Sequence, residues 1–172
     1  MKVFIIFLAI LIINISFLVH QGDMGRYLRT QTTVKAIAEE CGAGAALFFN
    51  EACFGDGFLV AEPEEAVRHI EYVIDEAGRT DPYLNGRQID YHVTFFDDSF
   101  IAKRFANGVR LPDQPFAYPF SYVDFNGKEI IIDVPSVVVT VNIEQGMKFR
   151  MPFFHTAPVA RSAMYELKPA DR

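Results

Sequence analysis

The chain has 172 residues, 51% of them apolar, and its 17 Phe and 7 Tyr supply enough bulk for a packed core, which excludes a disordered chain. The net charge of −6 is uneven: residues 1–35 carry Lys2, Arg26, Arg29 and Lys35 against Asp23, while the remainder holds 12 basic and 21 acidic side chains. A domain of that sign repels phosphate backbones and anionic headgroups, so nucleic acid is not expected among its partners.

The first element is apolar. Val3 to Val19 contains no charged residue, and at 1.5 Å per residue it spans about 25 Å, close to the minimum for crossing a bilayer. A cleaved signal peptide needs small residues before its cut, which Leu18-Val19-His20-Gln21 does not supply. A helix from a soluble core shows a polar face, whereas only Asn14 and Ser16 interrupt this run. Residues 1–21 are therefore expected to form a transmembrane helix. Lipid or like helices would surround Phe4, Ile5, Phe7, Leu8, Leu11, Ile12, Ile15 and Leu18. A literal count of cations, with Arg26, Arg29 and Lys35 after the run, puts the rest of the chain in the cytoplasm. The cysteine pair and the resemblance described below point outside, and that is the orientation expected.

Helical periodicity continues beyond the apolar run. Met24, Tyr27, Leu28, Val34, Ile37, Ala38, Cys41, Ala45 and Phe48 fall on one face, broken only by Gln31. Residues 22–50 read as an amphipathic helical arm, with a kink or melted turn expected at Gly22 and Gly25. The patch Gly42-Ala43-Gly44-Ala45-Ala46 permits close packing, and Asn50 with Gly55-Asp56-Gly57 turns the chain. Residues 51–172 then form a domain packed on this arm. Pro63-Glu64-Glu65 starts a second helix, Ala66, Val67, Ile70, Val73, Ile74 and Ala77 give its apolar face, and Gly78 is expected to stop it.

After Asp81-Pro82 and Asn85-Gly86 the period changes to two. Ile89, Tyr91, Val93 and Phe95 alternate with Asp90, His92 and Thr94, as in a half-buried strand. Asn126-Gly127 between Tyr122–Phe125 and Ile130–Ile132 signals a hairpin with positive φ at both turn residues. Val137–Ile143 is a β-branched strand, Gln145-Gly146 leads into Met147–Phe154, and Met164–Leu167 can add a last strand. Helices first and antiparallel strands afterwards give an α+β fold with about four to five strands.

Chemistry is sparse. His20, His69, His92 and His155 share no ligand-like spacing with one another or with the cysteines. Glu64-Glu65, Asp75-Glu76 and Asp97-Asp98 are adjacent pairs whose side chains diverge, and they read as solvated faces. No catalytic, cofactor or metal site is expected. Cys41 and Cys53 would lie about 18 Å apart on one unbroken helix, against a limit of roughly 7 Å for a disulfide. A bridge is open to them if the helix ends near residue 50, and two buried thiols are the alternative. Phe116, Tyr118, Phe120 and Tyr122, and Pro152-Phe153-Phe154, are aromatic segments that proline keeps at edges or in loops. Their rings can meet a partner or fill the core.

An apolar N-terminal helix, a continuing amphipathic helix and a small antiparallel sheet together resemble type IV pilin-like proteins. More narrowly, the stretch Leu28-Arg29-Thr30-Gln31-Thr32-Thr33-Val34-Lys35-Ala36-Ile37-Ala38-Glu39-Glu40-Cys41-Gly42-Ala43-Gly44-Ala45 is similar to the alanine-rich arm of TadE-like (tight-adherence) minor pseudopilins. Val137–Val141 and Ala160–Tyr165 are similar to that group's C-terminal pattern. Such subunits carry a short basic leader, a processing glycine and an early glutamate. Here Met1-Lys2-Val3 leads straight into the apolar run, with no Gly before Gly22 and no Glu before Glu39. The resemblance implies a structural subunit of a pilus-like or secretion-type assembly, its partners being lipid, other pilin-like subunits and an assembly platform. The competing reading is a bitopic ligand-binding or sensor module, with a pocket expected between sheet and helices. A membrane-tethered enzyme would need a site built from distant residues such as His92, Asp97 and His155.

Overall fold

Local propensity and length make the first helix the organising element. In the computed structural model, which describes residues 2–147 and 157–168, helix α1 runs unbroken over Lys2–Ala45. Gly22 and Gly25 interrupt it neither by melting nor by ending it, so the expected junction is a continuous rod. It stops at Ala45 rather than near residue 50, where the chain turns through Ala46 and Leu47 into an isolated bridge between Phe49 and Ala61. A short helix α2, Glu51–Gly55, starts at Asn50, whose side chain accepts from the Cys53 N–H at 3.0 Å. Helix α3 covers Pro63–Thr80, with Pro63 and two acids in its first turn. Gly78 does not stop it. The helix ends instead before Asp81-Pro82, since the residue preceding a proline is pushed out of helical conformation.

Among the described residues seven strands follow: β1 Ile89–Phe96, β2 Ile101–Ala106, β3 Val109–Pro115, β4 Phe120–Val123, β5 Glu129–Ile132, β6 Ser136–Met147 and β7 Ala157–Glu166. Five of them form an antiparallel sheet in the order β3-β2-β1-β6-β7, and β4 and β5 form a separate hairpin. The α+β class therefore holds. Strands β2 and β3 go beyond the sequence expectation, although Asn107-Gly108 carries the same hairpin signal as Asn126-Gly127. Asn107 (φ 46°) and Gly108 (φ 76°) make the two-residue turn, between the paired Ala106 and Val109. At the other hairpin the expected two-residue turn is replaced by a loop of residues 124–128. Asp124 Oδ1 accepts from the Asn126 and Lys128 N–H groups, so only Gly127 needs a positive φ. The aromatic segment Pro152-Phe153-Phe154, His155 and most of the expected strand Met147–Phe154 lie outside the described residues.

The period of two sorts the sheet. Tyr91, Val93, Phe95, Val137, Val139, Val141 and Ile143 face the helices and join Val34, Ile37, Ala38, Cys41 and Ile70 in the main core. The C-terminal half of α1 packs on β6, β7 and α3. Its inward stripe is Thr30, Val34, Ile37, Ala38, Cys41 and Ala45, whereas Met24 and Leu28 remain exposed. Gln31, the polar break, accepts from Arg161 of β7 at 2.5 Å. The small-residue patch works as expected. A Cβ on Gly42 would lie 2.8 Å from the Tyr165 ring, and one on Gly44 would overlap the His69 ring, so glycine sets how closely β7 and α3 approach. On the opposite sheet face Phe96, Ala102, Ile132 and Val138 form a second, smaller core under the β4–β5 hairpin.

Candidate functional site

One helix meets two environments. From Val3 to Leu18 the large apolar side chains are 43–81% exposed and none of that stretch is buried in the domain. From Thr30 to Ala45 the same helix has one face wholly buried. Phe4, Ile5, Phe7, Leu8, Leu11, Ile12, Ile15 and Leu18 thus project freely from a rod whose other half is clamped by β6, β7 and α3. Asn14 satisfies its amide internally, donating to the Ile10 carbonyl at 2.8 Å. This is the one helix among the described residues that is long and apolar enough to cross a membrane. The two halves belong to one continuous helix of 44 residues, about 66 Å long.

The cysteines do not form the bridge considered from the sequence: both are free. Helix α1 ends and the chain folds back, but Cys41 has already turned inward against α3, with Sγ 4.0 Å from the Ile70 carbonyl. Cys53 sits on α2 and is half-buried. Burial pushes the Cys41 thiol up to about 12, with Glu40 adding to the shift. Iodoacetamide at pH 8 is therefore expected to add one alkyl group to the native protein, at Cys53, and a second only after denaturation. Mass analysis reads the count directly, and a native protein that takes up none would restore the disulfide. The thiol's raised pKa also sets a sign: the native state holds its proton more tightly, so this contribution to stability is lost as pH rises from 9 toward 12.

Asp97-Asp98 is not a solvated pair. Asp97 is fully buried; it accepts from the Ala61 N–H at 3.0 Å and from Lys103 Nζ at 2.7 Å, and Ser99 bonds its other oxygen. Asp98 accepts from the Leu59 N–H at 2.7 Å. Together they fasten the 59–61 segment to the end of β1. Glu64, Glu65, Asp75 and Glu76 are exposed, as expected. His92 and Asp97 are not brought together, being five residues apart, roughly 16 Å of strand, with Asp97 already committed to Ala61 and Lys103. Among the described residues no group of three His, Cys, Asp or Glu side chains could hold a metal ion. His69 lies over Gly44, its ring 5.7 Å from that of Phe48.

Phe116, Tyr118, Phe120 and Tyr122 are half-buried and pack against the second core. The Phe96 ring is the reason: Phe116, Phe120 and Tyr122 pack edge-on around it at 5.0–5.3 Å. Phe100, Val123, Phe125 and Ile131 of this region are exposed. Between the aromatic group and β1–β3 lies a cavity of about 640 Å³. It lies on the sheet face away from the helices, whereas an open groove of about 570 Å³ between α3 and β1 is lined by Glu71, Asp75, Ile89 and Tyr91. His92 borders it, its ring stacked on Phe125 at 3.8 Å. Burial lowers the His92 pKa, Asp90 opposes this and Arg104 reinforces it.

No protein-family model, curated protein or solved structure matches the chain.

Proposed function

We propose that the chain is a membrane-anchored structural subunit of a pilus-like or secretion-type assembly, and not an enzyme. The observation that carries this reading is the division of α1 into a bare apolar half and a clamped half without a break between them. Such a helix can wait in lipid and later exchange lipid for neighbouring helices, carrying its domain in a fixed orientation. Inside a bilayer that exchange gains nothing from the hydrophobic effect and rests on packing and on polar groups within the apolar run. Asn14 is the group placed for it: its carboxamide oxygen is left to accept from a neighbour, an interaction of roughly 0.6–2 kcal/mol. In this reading the acidic domain stands on the extracytoplasmic side or on a surface filament. The resemblance to TadE-like pseudopilins supports that side.

The test is a photo-crosslinking residue placed at Phe7 or Leu18 in the full chain, in its native membrane. Adducts between copies of the chain, or with other single-helix subunits, are expected, together with recovery of the chain in a sheared surface fraction. Adducts with lipid alone at both positions, and a chain found only as a membrane monomer, would refute the assembly role. A second reading, a bitopic ligand-binding module, is favoured by one observation, the cavity under the β4–β5 hairpin.

A further inference from the structure

Register builds the floor of that cavity. Arg104 of β2 is the cross-strand partner of Thr94 on β1 and of Leu111 on β3, so the three share the face that looks away from the helices. Arg104 is half-buried and borders the cavity. Among the described residues it forms no ion pair, whereas Arg68, Arg79, Arg110 and Lys103 each hold a carboxylate. A guanidinium left without a counter-ion in a concave site, on a domain with a large excess of acids, is a receptor for an anion. Beside it Thr94 Oγ1 and Tyr122 Oη lie 3.1 Å apart, a hydroxyl pair that can turn a proton toward a bound oxygen.

The walls narrow the class of anion. Phe116 and Phe120, packed on the buried Phe96 ring, line the cavity, which suits an apolar body. Asp124 borders the same space and is 4% exposed; its Oδ2 has no hydrogen-bond partner. That carboxylate repels a dianion such as phosphate more than a single carboxylate. The volume, about 640 Å³, lies within the range of pockets that hold small organic molecules.

We propose that the cavity between β1–β3 and the β4–β5 hairpin binds a small organic monocarboxylate with a branched or aromatic apolar body. The carboxylate sits on the Arg104 fork and the Thr94–Tyr122 hydroxyls, and the body lies against Phe116 and Phe120. The site is independent of the exposed half of α1, so failure of either proposal leaves the other standing.

Calorimetric titration of the full chain in nanodiscs tests it with 3-phenylpropanoate, 4-methylpentanoate and benzoate. Their counterparts are 3-phenylpropan-1-ol and inorganic phosphate. Saturable binding of at least one carboxylate is expected, with the alcohol and phosphate weaker by about tenfold or more, since a hydrogen bond to a charged group carries that much discrimination. Arg104→Gln should lose a similar factor at an unchanged melting temperature. Arg104→Lys should retain part of the binding, and Arg110→Gln all of it. Failure of all three carboxylates to bind, equal binding of phosphate, or undiminished binding by a folded Arg104→Gln would each overturn the assignment.

Discussion

Asp97→Ala is expected to cost about 3–5 kcal/mol of domain stability. Asp97 is fully buried and does three things at once. It neutralises Lys103, whose side chain is 17% exposed, satisfies the Ala61 N–H, and holds Ser99 at the turn into β2. The isolated value of the ion pair is small, because desolvating two charges offsets most of their attraction. Removing one partner is different: it strands the Lys103 ammonium in a poorly solvated place and leaves a buried amide unsatisfied. Two companion variants separate these terms. Asp97→Asn keeps an acceptor for Ala61 while removing the charge, and should fall between wild type and alanine. Asp97→Ala/Lys103→Met removes the orphaned charge and should recover part of the loss, a non-additivity that a double-mutant cycle measures. The readout is thermal unfolding of the full chain in micelles, with a decrease on the order of 10 °C for the alanine variant. A shift of a degree or less would mean that the 59–61 segment is held by something other than Asp97.

This network was illegible in the sequence, and the reason is physical. Adjacent acids are solvated far more often than not; Ala61 is brought to Asp97 by the chain's return after α2, and Lys103 by the pairing of β2 with β1. Elements governed by local period were readable. The apolar run, the α3 face and the β-branched β6 stand where residue spacing puts them, whereas β1, expected half-buried, is covered on both faces from Val93 to Phe96 because the β4–β5 hairpin packs over its second face. Boundaries set by geometry were not. Gly78 costs a helix little when α3 is buried on one side, so Pro82 decides the end. The hairpin at Asn126-Gly127 was found but its turn was not, because the Asp124 side chain supplies the bonds a tighter turn would have made. The cavity left almost no trace. Arg104 and Thr94 are unremarkable in their own strands, and only the antiparallel register places them side by side under the aromatic segment.

Introducing Leu8→Arg together with Leu11→Arg is expected to release the chain from the membrane. The apolar run is near the minimum length for a span, so it has little surplus to absorb charge. An arginine near the helix centre costs about 2.5–3.5 kcal/mol on insertion scales, and two on one face cost roughly twice that, reduced somewhat where Leu8 lets its guanidinium reach toward an interface. The folded domain should not register the change, because neither side chain touches it: both are 43% exposed. Alkaline carbonate extraction is the measurement, with wild type in the pellet and the double variant in the supernatant. Met24→Arg and Leu28→Arg are the controls. Both positions are exposed, they lie beyond the apolar run, and Arg26 and Arg29 already stand beside them, so extraction should stay as in wild type. A double variant that stays in the pellet as wild type does would show that residues 3–19 do not anchor the protein. A control that leaves the membrane would move the boundary of the span past residue 21, into the part of α1 that precedes its contact with the sheet.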